Sequence, residues 1–411
     1  MVLKERMHFL NLKTGNEAGI SFLLPEVEES APKQQHVPRR SDPVFYNAKQ
    51  SLNRDLSVLI LHASKSLQLS KLENVVETFA GTGIRALRYA VQGPTIKNLY
   101  INDIAPKSIN LTKDNLELHK DKILANLHYY SMDAKLLFLE LRKQDIFLDF
   151  IDIDPYGTPQ PYLRNALLTL ERSGILAVTA TDMPVITGLY PEKAYRLYQI
   201  PNFKVVNRSY CHEIGLRMLI AYVQREAFFY KLALVPLLSF YCDHYVRIFM
   251  HDKENMSVDK VIQSHGYISD CTHCGKRDYY FWNESYKHKS VCSNCSKSVH
   301  PIGPLYLGPL HDNSIVEKLQ QYIIEFPKNL VDRRSRLERM IPLFKEDLKV
   351  NVPWYYELGE IGKRMKYSIP SPNVLIEKLT SKQYVASQTH FDGQAIRTDF
   401  PLEINGKSLL I

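Results

Sequence analysis

Short apolar runs alternate with amphipathic stretches from Leu72 onward, and this alternation is the most informative pattern in the chain. Apolar runs separated by segments of helical periodicity predict parallel strands joined by helices. The predicted strands cover residues 74–79, 98–102, 127–130, 147–153 and 174–181, and then 231–241 and 245–250. The last two are close enough in sequence to pair as an antiparallel hairpin. We therefore predict an α/β fold, a doubly wound sheet of seven strands with a hairpin at one edge.

The segments before and after this region have different patterns. Two short apolar runs around Lys13-Thr14-Gly15-Asn16 predict a hairpin within residues 1–30. A basic, proline-bearing loop (31–43) and a helix (48–66) follow this hairpin. Beyond Asp252 come two Cys-x-x-Cys pairs and a basic helix (332–349). Helices at 355–366 and 373–382 and a strand pair turning at 392–393 complete the predicted elements. The last order is typical of a winged-helix-like end, so we predict domains at 1–252 and 253–411, the second an α+β domain with a cysteine module at 271–295.

Length and charge add little to this division. A chain of 411 residues is too long for one typical domain, and its net charge of +8 favours either an anionic partner such as nucleic acid or simply a lysine-rich surface. The N-terminus has no apolar run behind its charges, so no secretory signal is expected. The most apolar long segment (227–241) contains Lys231 and Pro236 and is too short to span a bilayer. We expect a cytoplasmic protein outside the membrane, and no obligate protein partner is evident.

A glycine-bearing turn follows the first predicted core strand. Gly81 and Gly83 let the backbone approach a ligand closely, and Asp103 ends the next strand, where an acid can hold both hydroxyls of a ribose. With Ala86 the segment also satisfies the relaxed dinucleotide pattern, so the glycines alone leave a nicotinamide cofactor open. An ordinary tight turn is the simplest alternative.

Two further positions favour S-adenosylmethionine over a dinucleotide. Arg85 directly follows the glycine turn and could bind the carboxylate at the amino-acid end of that cofactor. Asp133 and Ala134 follow the third strand, where a carboxylate and the neighbouring backbone can bind the adenine ring. Taken singly, Arg85 could be a surface residue and Asp133 a helix N-cap. Their shared position at the carboxyl ends of consecutive strands favours the cofactor interpretation.

The fourth predicted strand ends in Asp154-Pro155-Tyr156, which suits methylation of an exocyclic amine of guanine. Such an amine is a weak nucleophile and needs an acceptor that orients it and takes its proton as the new bond forms. We predict that Asp154 has this catalytic role and that the Tyr156 ring stacks on a flipped base. Asp152 shares a strand face with Asp154 and is the second choice for the acid. The alternative is an Asp-Pro pair that merely opens a helix.

The late cysteines form two pairs with the spacing of a metal site. Cys271 and Cys274 are separated by two residues, as are Cys292 and Cys295, and seventeen residues lie between the pairs. This spacing predicts a structural zinc ion held by four thiolates. A disulfide arrangement is disfavoured inside a reducing compartment.

Taken together, the chain resembles the tRNA (guanine-26-N2)-dimethyltransferase family over almost its whole length. The motifs that carry the resemblance are Ser41-Asp-Pro-Val-Phe-Tyr-Asn47, Leu52-Asn-Arg-Asp55, Gly81-Thr-Gly-Ile-Arg85, Asn102-Asp103, Asp133-Ala134, Asp152-Ile-Asp-Pro-Tyr-Gly157, Thr179-Ala-Thr-Asp182, Cys211-His-Glu-Ile-Gly215 and Thr389-His-Phe391. The resemblance implies a Rossmann-like methyltransferase domain and a C-terminal domain that helps to hold tRNA. Tyr156 stands where the family often has Phe, and some members lack the four-cysteine module.

The resemblance also adds residues that periodicity and spacing do not indicate. It implies that Arg54 and Arg85 contact the cofactor, together with Asp103, Asp133 and Ala134, and that Asp154 is the catalytic acid. It further implies that Phe45 and Tyr156 enclose the target guanine. Without it, Arg54 would be interpreted as a helix-surface residue and Phe45 as a core aromatic.

Two alternative functions and one ambiguous surface remain open at this stage. The same chemistry would serve an amino-methyltransferase acting on another RNA or on DNA, and a non-enzymatic zinc-containing RNA-binding protein would share the C-terminal features. A cluster of arginines in the basic helix would suit phosphate contacts or a solvated helix face equally well: Arg333, Arg334, Arg336 and Arg339.

Overall fold

A computed structural model describes residues 12–26, 44–287 and 290–403 of the chain. The basic loop at 31–43 and the Ser41-Asp-Pro43 part of the first motif lie outside the described residues. Within those three ranges, no helix is both long and apolar enough to cross a membrane.

The central element is a seven-stranded sheet with strand order β5-β4-β3-β6-β7-β9-β8. The strands are β3 (Asn74–Glu77), β4 (Asn98–Asn102), β5 (Asn126–Tyr130), β6 (Leu148–Ile153), β7 (Leu170–Ala180), β8 (Leu234–Cys242) and β9 (Tyr245–Asp252). The pairs β4–β5, β3–β4, β3–β6 and β6–β7 are parallel, and β8–β9 is an antiparallel hairpin. The seven predicted strands and the edge hairpin are therefore confirmed.

The chain reverses direction across the sheet at β3. From β3 it runs outward through β4 and β5, and then returns to the other side of β3 with β6 and β7. Ligands of such sheets bind at the carboxyl ends of the strands beside this reversal, because the loops there diverge and leave a crevice. Val75, Val76 and Phe150 in the two central strands are fully buried, as expected for parallel strands covered on both faces.

Helices connect the strands and cover the sheet. They are α1 (Ser51–Ser66), α2 (Ile84–Gln92), α3 (Pro106–Glu117), α4 (Ala134–Lys143), α5 (Gln160–Thr169), α6 (Met183–Ile186), α7 (Pro191–Tyr198) and α8 (Cys211–Phe228). Helix α1 is buried at 13 of its 16 positions, Arg54 included. It is therefore a core helix, and interpreting Arg54 as a surface residue is wrong.

The N-terminal hairpin is present, but its turn differs from the predicted one. Strands β1 (Leu12–Glu17) and β2 (Ile20–Pro25) pair antiparallel around a two-residue turn at Ala18 and Gly19. Both turn residues have positive φ, +50° and +75°, which matches a primed hairpin turn. Gly15, which suggested a turn, lies inside β1, where a Cβ would approach Leu24 Cδ2 to 2.7 Å. The glycine makes room for a cross-strand side chain.

The later part of the chain forms two small sheets with their helices. Its strands and helices are α9 (Val258–Ile262), β10 (His265–Asp270), β11 (Arg277–Phe281), β12 (Ile302–Tyr306), α10 (Asn313–Glu325), α11 (Arg334–Asp347), β13 (Tyr356–Glu357), α12 (Leu358–Met365), α13 (Pro372–Ser381), β14 (Ala386–Gln388) and β15 (Ala395–Thr398). Their sheet orders are β11-β10-β12 and β13-β15-β14. The predicted order of two helices followed by a strand pair is present in α12, α13, β14 and β15.

The backbone contacts divide the chain into two compact units. One comprises Met1–Val178 with Lys318–Glu338, and the other comprises Thr179–Glu317 with Arg339–Ile411. The domain boundary predicted after Asp252 falls inside the second unit. It stays a prediction about how function is divided along the chain.

Candidate active site

The predicted cofactor residues of the first unit lie at the carboxyl ends of neighbouring strands. The glycine turn follows β3, Asp103 follows β4 and Asp133 follows β5. Because these strands are parallel and adjacent, their ends lie along one edge of the sheet. Asp133 is also the N-cap of α4, since its Oδ1 accepts a hydrogen bond from the Lys135 amide at 2.8 Å. The other oxygen, Oδ2, lies 3.6 Å from Lys135 Nζ in an exposed ion pair and keeps lone pairs for a further contact.

The turn after β3 requires glycine at both predicted positions. Gly81 has φ +54°, and a Cβ there would lie 2.5 Å from the Phe45 carbonyl oxygen. Gly83 has φ +76°, and its Cβ would lie 2.5 Å from Thr112 Cγ2. A side chain at either position would force the turn and its neighbours apart. The glycines therefore bring the turn close to the Phe45 backbone and to α3.

Asp103 fixes the glycine turn from the adjacent strand. Its Oδ2 accepts from the Gly81 amide at 2.8 Å and its Oδ1 from the Ala105 amide at 2.9 Å. Burial raises the pKa of Asp103, and these two N–H donors oppose the rise. Each carboxylate oxygen has a second lone pair, so the group can hold the turn and still accept from a ligand hydroxyl.

Arg85 is the centre of a buried cluster of charges. Its Nη1 lies 3.0 Å from Asn53 Oδ1 and 3.4 Å from Asp152 Oδ2, and its Nη2 donates to Asp154. Its Nε lies 3.8 Å from Glu77 Oε1. Burial alone would lower the pKa of Arg85, but the carboxylates of Asp152 and Asp154 outweigh burial and raise it well above its usual value. The guanidinium is therefore permanently charged.

Three acids of this cluster share one arginine. Asp152 accepts from the Tyr89 hydroxyl at 2.5 Å, whereas Oε2 of buried Glu77 has no hydrogen-bond partner among the described residues. Burial raises the pKa of Glu77 well above its usual value, and the charge of Arg85 offsets this only in part. Burial thus works against the charged form of Glu77. Asp154 remains as the acid at the rim of the cluster, with 16% of its side chain exposed.

Arg54 forms an ion pair with Glu17, whereas the prediction gives it a contact with the cofactor. Its Nε donates to Glu17 Oε1 at 2.7 Å and its Nη2 to Glu17 Oε2 at 2.5 Å. Burial would raise the pKa of Glu17, but Arg54 and Arg88 outweigh it and lower that pKa to about 2. The charge of Arg85 also acts on Arg54. Arg85 also contacts Asn53, the residue before Arg54, through its Nη1. A cofactor contact by Arg54 stays a prediction.

Phe45 and Tyr156 lie next to each other at the surface. Their ring centroids are 6.4 Å apart with an interplanar angle of 78°, and the residues are 39% and 69% exposed. A base enclosed between two parallel rings needs a ring separation of about 7 Å, twice a van der Waals contact distance. The separation is suitable, but one ring must turn before a flat base fits. The structure brings together two rings that are more than a hundred residues apart in sequence.

Several residues of this edge were not predicted from the sequence. Glu17, Asn53 and Tyr89 contact the two arginines or Asp152 directly. Ile104 follows Asp103 at the carboxyl end of β4 and is 70% exposed. An aliphatic residue directly after a strand-terminal acid is a local signal that could have identified Ile104. Glu17 gives no such signal, because its partner Arg54 lies 37 residues away.

The four cysteines of the second unit meet as predicted. Cys271 Sγ lies 3.5 Å from Cys295 Sγ, Cys274 Sγ lies 3.5 Å from Cys292 Sγ, and all four sulfurs fall within 4.8 Å of one another. These separations are far longer than an S–S bond of about 2.05 Å. They are close to the edge of about 3.8 Å of a thiolate tetrahedron around zinc with Zn–S bonds of about 2.3 Å. The donor set and its geometry therefore fit zinc.

A second group with metal-ligand side chains has a different character. His311, Asp347 and His390 place their ligand atoms within 4.8 Å of one another. Arg397 Nε, however, lies 3.3 Å from Asp347 Oδ1, and its Nη2 donates to Glu213 Oε2 at 2.9 Å. A permanent cation beside Asp347 already neutralises it and repels a metal ion. We interpret the group as a buried ion-pair network that joins the Cys211–Gly215 and Thr389–Phe391 motifs.

Two of the four arginines of the basic helix have structural partners. Arg334 Nη2 donates to the carbonyls of Phe326 and Pro327 just beyond the end of α10, at 2.7 and 3.0 Å. The backbone amide of Arg333 donates to Asp55 at 2.7 Å, and its Nε donates to Ser51 at 2.7 Å. The hypothesis of a helix loaded with phosphate-binding arginines is therefore weakened at these two positions.

The chain is similar to proteins of one family over nearly its whole length. Residues 26–408 match the family model of N2,N2-dimethylguanosine tRNA methyltransferases. A relative from Saccharolobus solfataricus, a tRNA (guanine(26)-N(2))-dimethyltransferase, is 33% identical over 393 residues, which cover 95% of this chain and 96% of the relative. One from Aquifex aeolicus, a tRNA (guanine(26)-N(2)/guanine(27)-N(2))-dimethyltransferase, is 30% identical over 366 residues, 88% of each chain. Trm1 from Pyrococcus horikoshii in complex with S-adenosyl-L-methionine has a TM-score of 0.78 at 26% identity, covering 97% of this chain and 99% of that one.

The reversal of the sheet at β3, the glycine turn and the acids at the strand ends define a Rossmann-like methyltransferase of the type that uses S-adenosylmethionine. Within that class, the chain belongs to the N2,N2-dimethylguanosine tRNA methyltransferase family. The family and the fold class predicted from the motifs are confirmed.

Proposed function

We propose that this protein transfers methyl groups from S-adenosylmethionine to the exocyclic N2 of guanosine 26 in tRNA, giving N2-methylguanosine and then N2,N2-dimethylguanosine. The observation that carries the proposal is the position of Asp154. It lies at the end of β6 and is held by Arg85 at the strand edge that bears the glycine turn. Tyr156 follows Asp154 by two residues, and its exposed ring lies 6.4 Å from the exposed ring of Phe45.

The residues that would hold the cofactor follow from the donors and acceptors at this edge. The backbone of the Gly81–Gly83 turn allows a close approach, and Asp103 would accept from the ribose hydroxyls. Asp133, the Ala134 backbone and the exposed Ile104 side chain would surround the adenine. When bound, S-adenosylmethionine supplies a methyl group on a positively charged sulfur, ready for in-line attack.

Arg85 would hold Asp154 in place and would also supply positive charge for the cofactor carboxylate. Its guanidinium already holds Asp154, and its charge is permanent, so it can fix that carboxylate in every protonation state of the reaction. Together with Arg54 it also supplies positive charge for the cofactor carboxylate. The ion pair between Arg54 and Glu17 keeps the second guanidinium in a defined orientation.

Asp154 would act on the base rather than on the cofactor. The guanine amine is a weak nucleophile because its lone pair is delocalised, and an acceptor must align the amine and remove a proton as nitrogen gains charge. An ionised carboxylate can do both. After the first transfer the nitrogen keeps one N–H, so the same acid can serve the second methylation. Most of the rate would come from placement of the base, to which Phe45 and Tyr156 would contribute.

The second unit would contribute to holding tRNA. We propose that Cys271, Cys274, Cys292 and Cys295 bind one structural zinc ion, since their sulfurs match a thiolate tetrahedron. We also propose that residues 253–411 act as the tRNA-binding part of the chain. A tRNA substrate favours a cytoplasmic location.

Nucleoside mass spectrometry tests the proposed function. Unmodified tRNA is incubated with the purified protein and S-adenosylmethionine, digested, and analysed for methylated guanosines. We expect N2-methylguanosine followed by N2,N2-dimethylguanosine at position 26. A methylated adenosine or cytidine would support an amino-methyltransferase for another base, and no transfer at all would support a non-enzymatic RNA-binding protein. Mapping the product also distinguishes position 26 from position 27, which the name of the Aquifex aeolicus relative includes.

A further inference from the structure

Three aromatic rings lie side by side on one face of the sheet formed by β10, β11 and β12. Tyr267 on β10 pairs directly with Tyr280 on β11, and cross-strand partners share a face. Trp282 follows Tyr280 by two residues. The Tyr267 ring lies 5.6 Å from the Tyr280 ring and 6.2 Å from the Trp282 ring, with interplanar angles of 22° and 19°. The three rings are therefore nearly parallel.

The local sequence makes this face accessible. Gly266 and Ile268 of β10 are buried, whereas Tyr267 between them is half-buried, and Trp282 is 50% exposed. Gly303 of β12 makes room for the middle ring, since a Cβ there would lie 2.7 Å from Tyr267 Cδ1. Single exposed aromatic residues are common on protein surfaces. A row of three nearly parallel rings on an accessible sheet face is a more specific arrangement.

The charge of Arg225 in α8 acts on the row. Burial raises the pKa of Tyr267, and the Arg225 guanidinium opposes that rise. Together with burial it lowers the pKa of His265, also on β10, to about 3. Its Nη2 donates to the Tyr198 carbonyl at 2.9 Å, whereas its Nη1 is buried and has no hydrogen-bond partner among the described residues. Aromatic rings on which a cation acts suit an aromatic ligand that carries negative charge.

The cysteine module is part of the same structure. Strand β10 ends at Asp270, immediately before Cys271, and β11 begins at Arg277, shortly after Cys274. The first Cys-x-x-Cys pair is thus the turn of the hairpin that carries Tyr267 and Tyr280. The second pair is tied to β11, because Ser293 Oγ donates to Asp278 Oδ2 at 3.0 Å. A metal held by both pairs would fix the hairpin and its rings.

We propose that Tyr267, Tyr280 and Trp282 form a stacking platform for an unpaired base of the RNA, and that the four-cysteine module keeps this platform rigid. Unpaired bases stack on aromatic side chains whatever their identity, whereas bases inside a duplex are not accessible. A platform of this kind binds a single-stranded or looped nucleotide and not a helix. The proposal rests on the proposed function in taking that RNA to be tRNA.

The chain contains its own probe for this contact. Its two tryptophans are Trp282 and Trp354, and Trp354 is only 5% exposed. In the Trp354→Phe variant, Trp282 is the sole tryptophan, and its emission is measured during titration with unmodified tRNA. We expect quenching that saturates over the tRNA concentrations that saturate binding. Unchanged emission at saturating tRNA overturns the proposal. If Trp354→Phe does not fold, the difference between the emission of the wild type and that of Trp282→Phe gives the same readout.

Kinetics separate stacking from a purely structural role. Removing one stacking ring costs about 1–3 kcal/mol per base, so Trp282→Ala should raise the KM for tRNA about tenfold and retain kcat. Trp282→Phe should restore most of the affinity, because it keeps a ring. Tyr367→Leu removes a 47% exposed tyrosine elsewhere on the same unit and is the matched control. A lower melting temperature with an unchanged KM would show that the row only stabilises the sheet.

Failure of the platform and failure of the proposed function are distinguishable. If the wild type transfers no methyl group to tRNA, the proposed function fails, and the Trp282 titration still reports whether RNA contacts the row. If the wild type methylates tRNA but Trp282 neither responds to tRNA nor affects the KM, only the platform is refuted.

Discussion

Each of the two units contains a buried cluster of charges, and the two clusters differ in how completely their charges are matched. In the first unit, Arg85 faces three acids, Glu77, Asp152 and Asp154, and one Glu77 oxygen has no hydrogen-bond partner among the described residues. In the second unit, Arg217 and Arg397 face Glu213 and Asp347. In the first cluster three acids share one arginine, whereas in the second cluster two arginines face two acids.

The arginines of the second cluster also donate several hydrogen bonds besides their ion pairs. Arg397 Nη1 donates to Glu213 and to the carbonyls of Val352 and Trp354, and Arg217 Nη1 donates to the carbonyls of Tyr306 and Gly308. A network with balanced charges and occupied donors holds parts of a fold together. A cluster that contains a buried acid without a full set of partners and a partly exposed acid at its rim, beside exposed rings, is suited to receive a ligand. This difference supports our proposal that the first cluster is the reactive one.

The largest effect is expected at the rim acid. Asp154→Asn keeps the shape of the side chain but removes its negative charge, so methyl transfer should fall by about two to four orders of magnitude. Cofactor affinity should be almost unchanged, because this acid acts on the base. Single-turnover rates and calorimetry on one preparation measure both quantities. A rate within tenfold of the wild type would remove Asp154 from the catalytic role.

The balanced cluster should respond in stability instead. Glu213→Gln leaves two buried guanidiniums without their shared carboxylate, which should cost about 3–5 kcal/mol of unfolding free energy. Activity per folded molecule should stay near that of the wild type. Glu317→Gln, which removes an exposed partner of Lys345, is the control and should leave the melting temperature nearly unchanged. Equal thermal denaturation curves for the two variants would contradict the structural role of Glu213.

Cofactor affinity should depend on Asp103 more than on Asp154. Asp103→Asn retains an acceptor oxygen for the Gly81 turn but weakens the contact with ribose hydroxyls by about 1.5–3 kcal/mol. Calorimetric titration with S-adenosylmethionine measures the change. Asp121→Asn, an exposed acid on another loop, should leave affinity unchanged. Unchanged affinity in Asp103→Asn would mean that the ribose lies elsewhere.

The smallest effects are expected at the ring pair, where they depend on what replaces the ring. Tyr156→Phe keeps the ring and should be nearly silent, whereas Tyr156→Ala and Phe45→Ala should each slow turnover at least about tenfold. Overall tRNA affinity should change little, because the stacking gained at these rings is offset by the cost of unstacking the flipped base. If Phe45→Ala instead lowers the melting temperature and leaves the single-turnover rate intact, Phe45 is a packing residue.

The cofactor edge could be predicted from the sequence because its signals are local. Gly81, Gly83, Asp103 and Asp154 each follow a recognisable apolar strand, and parallel strands bring their ends together. The meeting of the four cysteines could be predicted for a similar reason, because two Cys-x-x-Cys pairs at this separation are typical of zinc sites.

The partners of the arginines could not be predicted in the same way. Glu17 reaches Arg54 from a hairpin at the start of the chain, and no periodicity in β1 distinguishes it from any other polar strand residue. The predicted position of the hairpin turn is wrong because Gly15 lies within a strand, whereas the left-handed positions are Ala18 and Gly19. Both the partner of Arg54 and the position of the turn depend on tertiary contacts, and a single sequence does not reveal those contacts.

One substrate change tests the central claim most directly. A tRNA with inosine in place of guanosine 26 lacks only the exocyclic N2 amine and keeps the remaining ring and the same backbone. Incorporation of labelled methyl groups from S-adenosylmethionine is compared between this tRNA and the guanosine form. We expect two methyl groups on the guanosine form and none on the inosine form, with similar affinity for both. Equal incorporation into both would show that the enzyme methylates another atom.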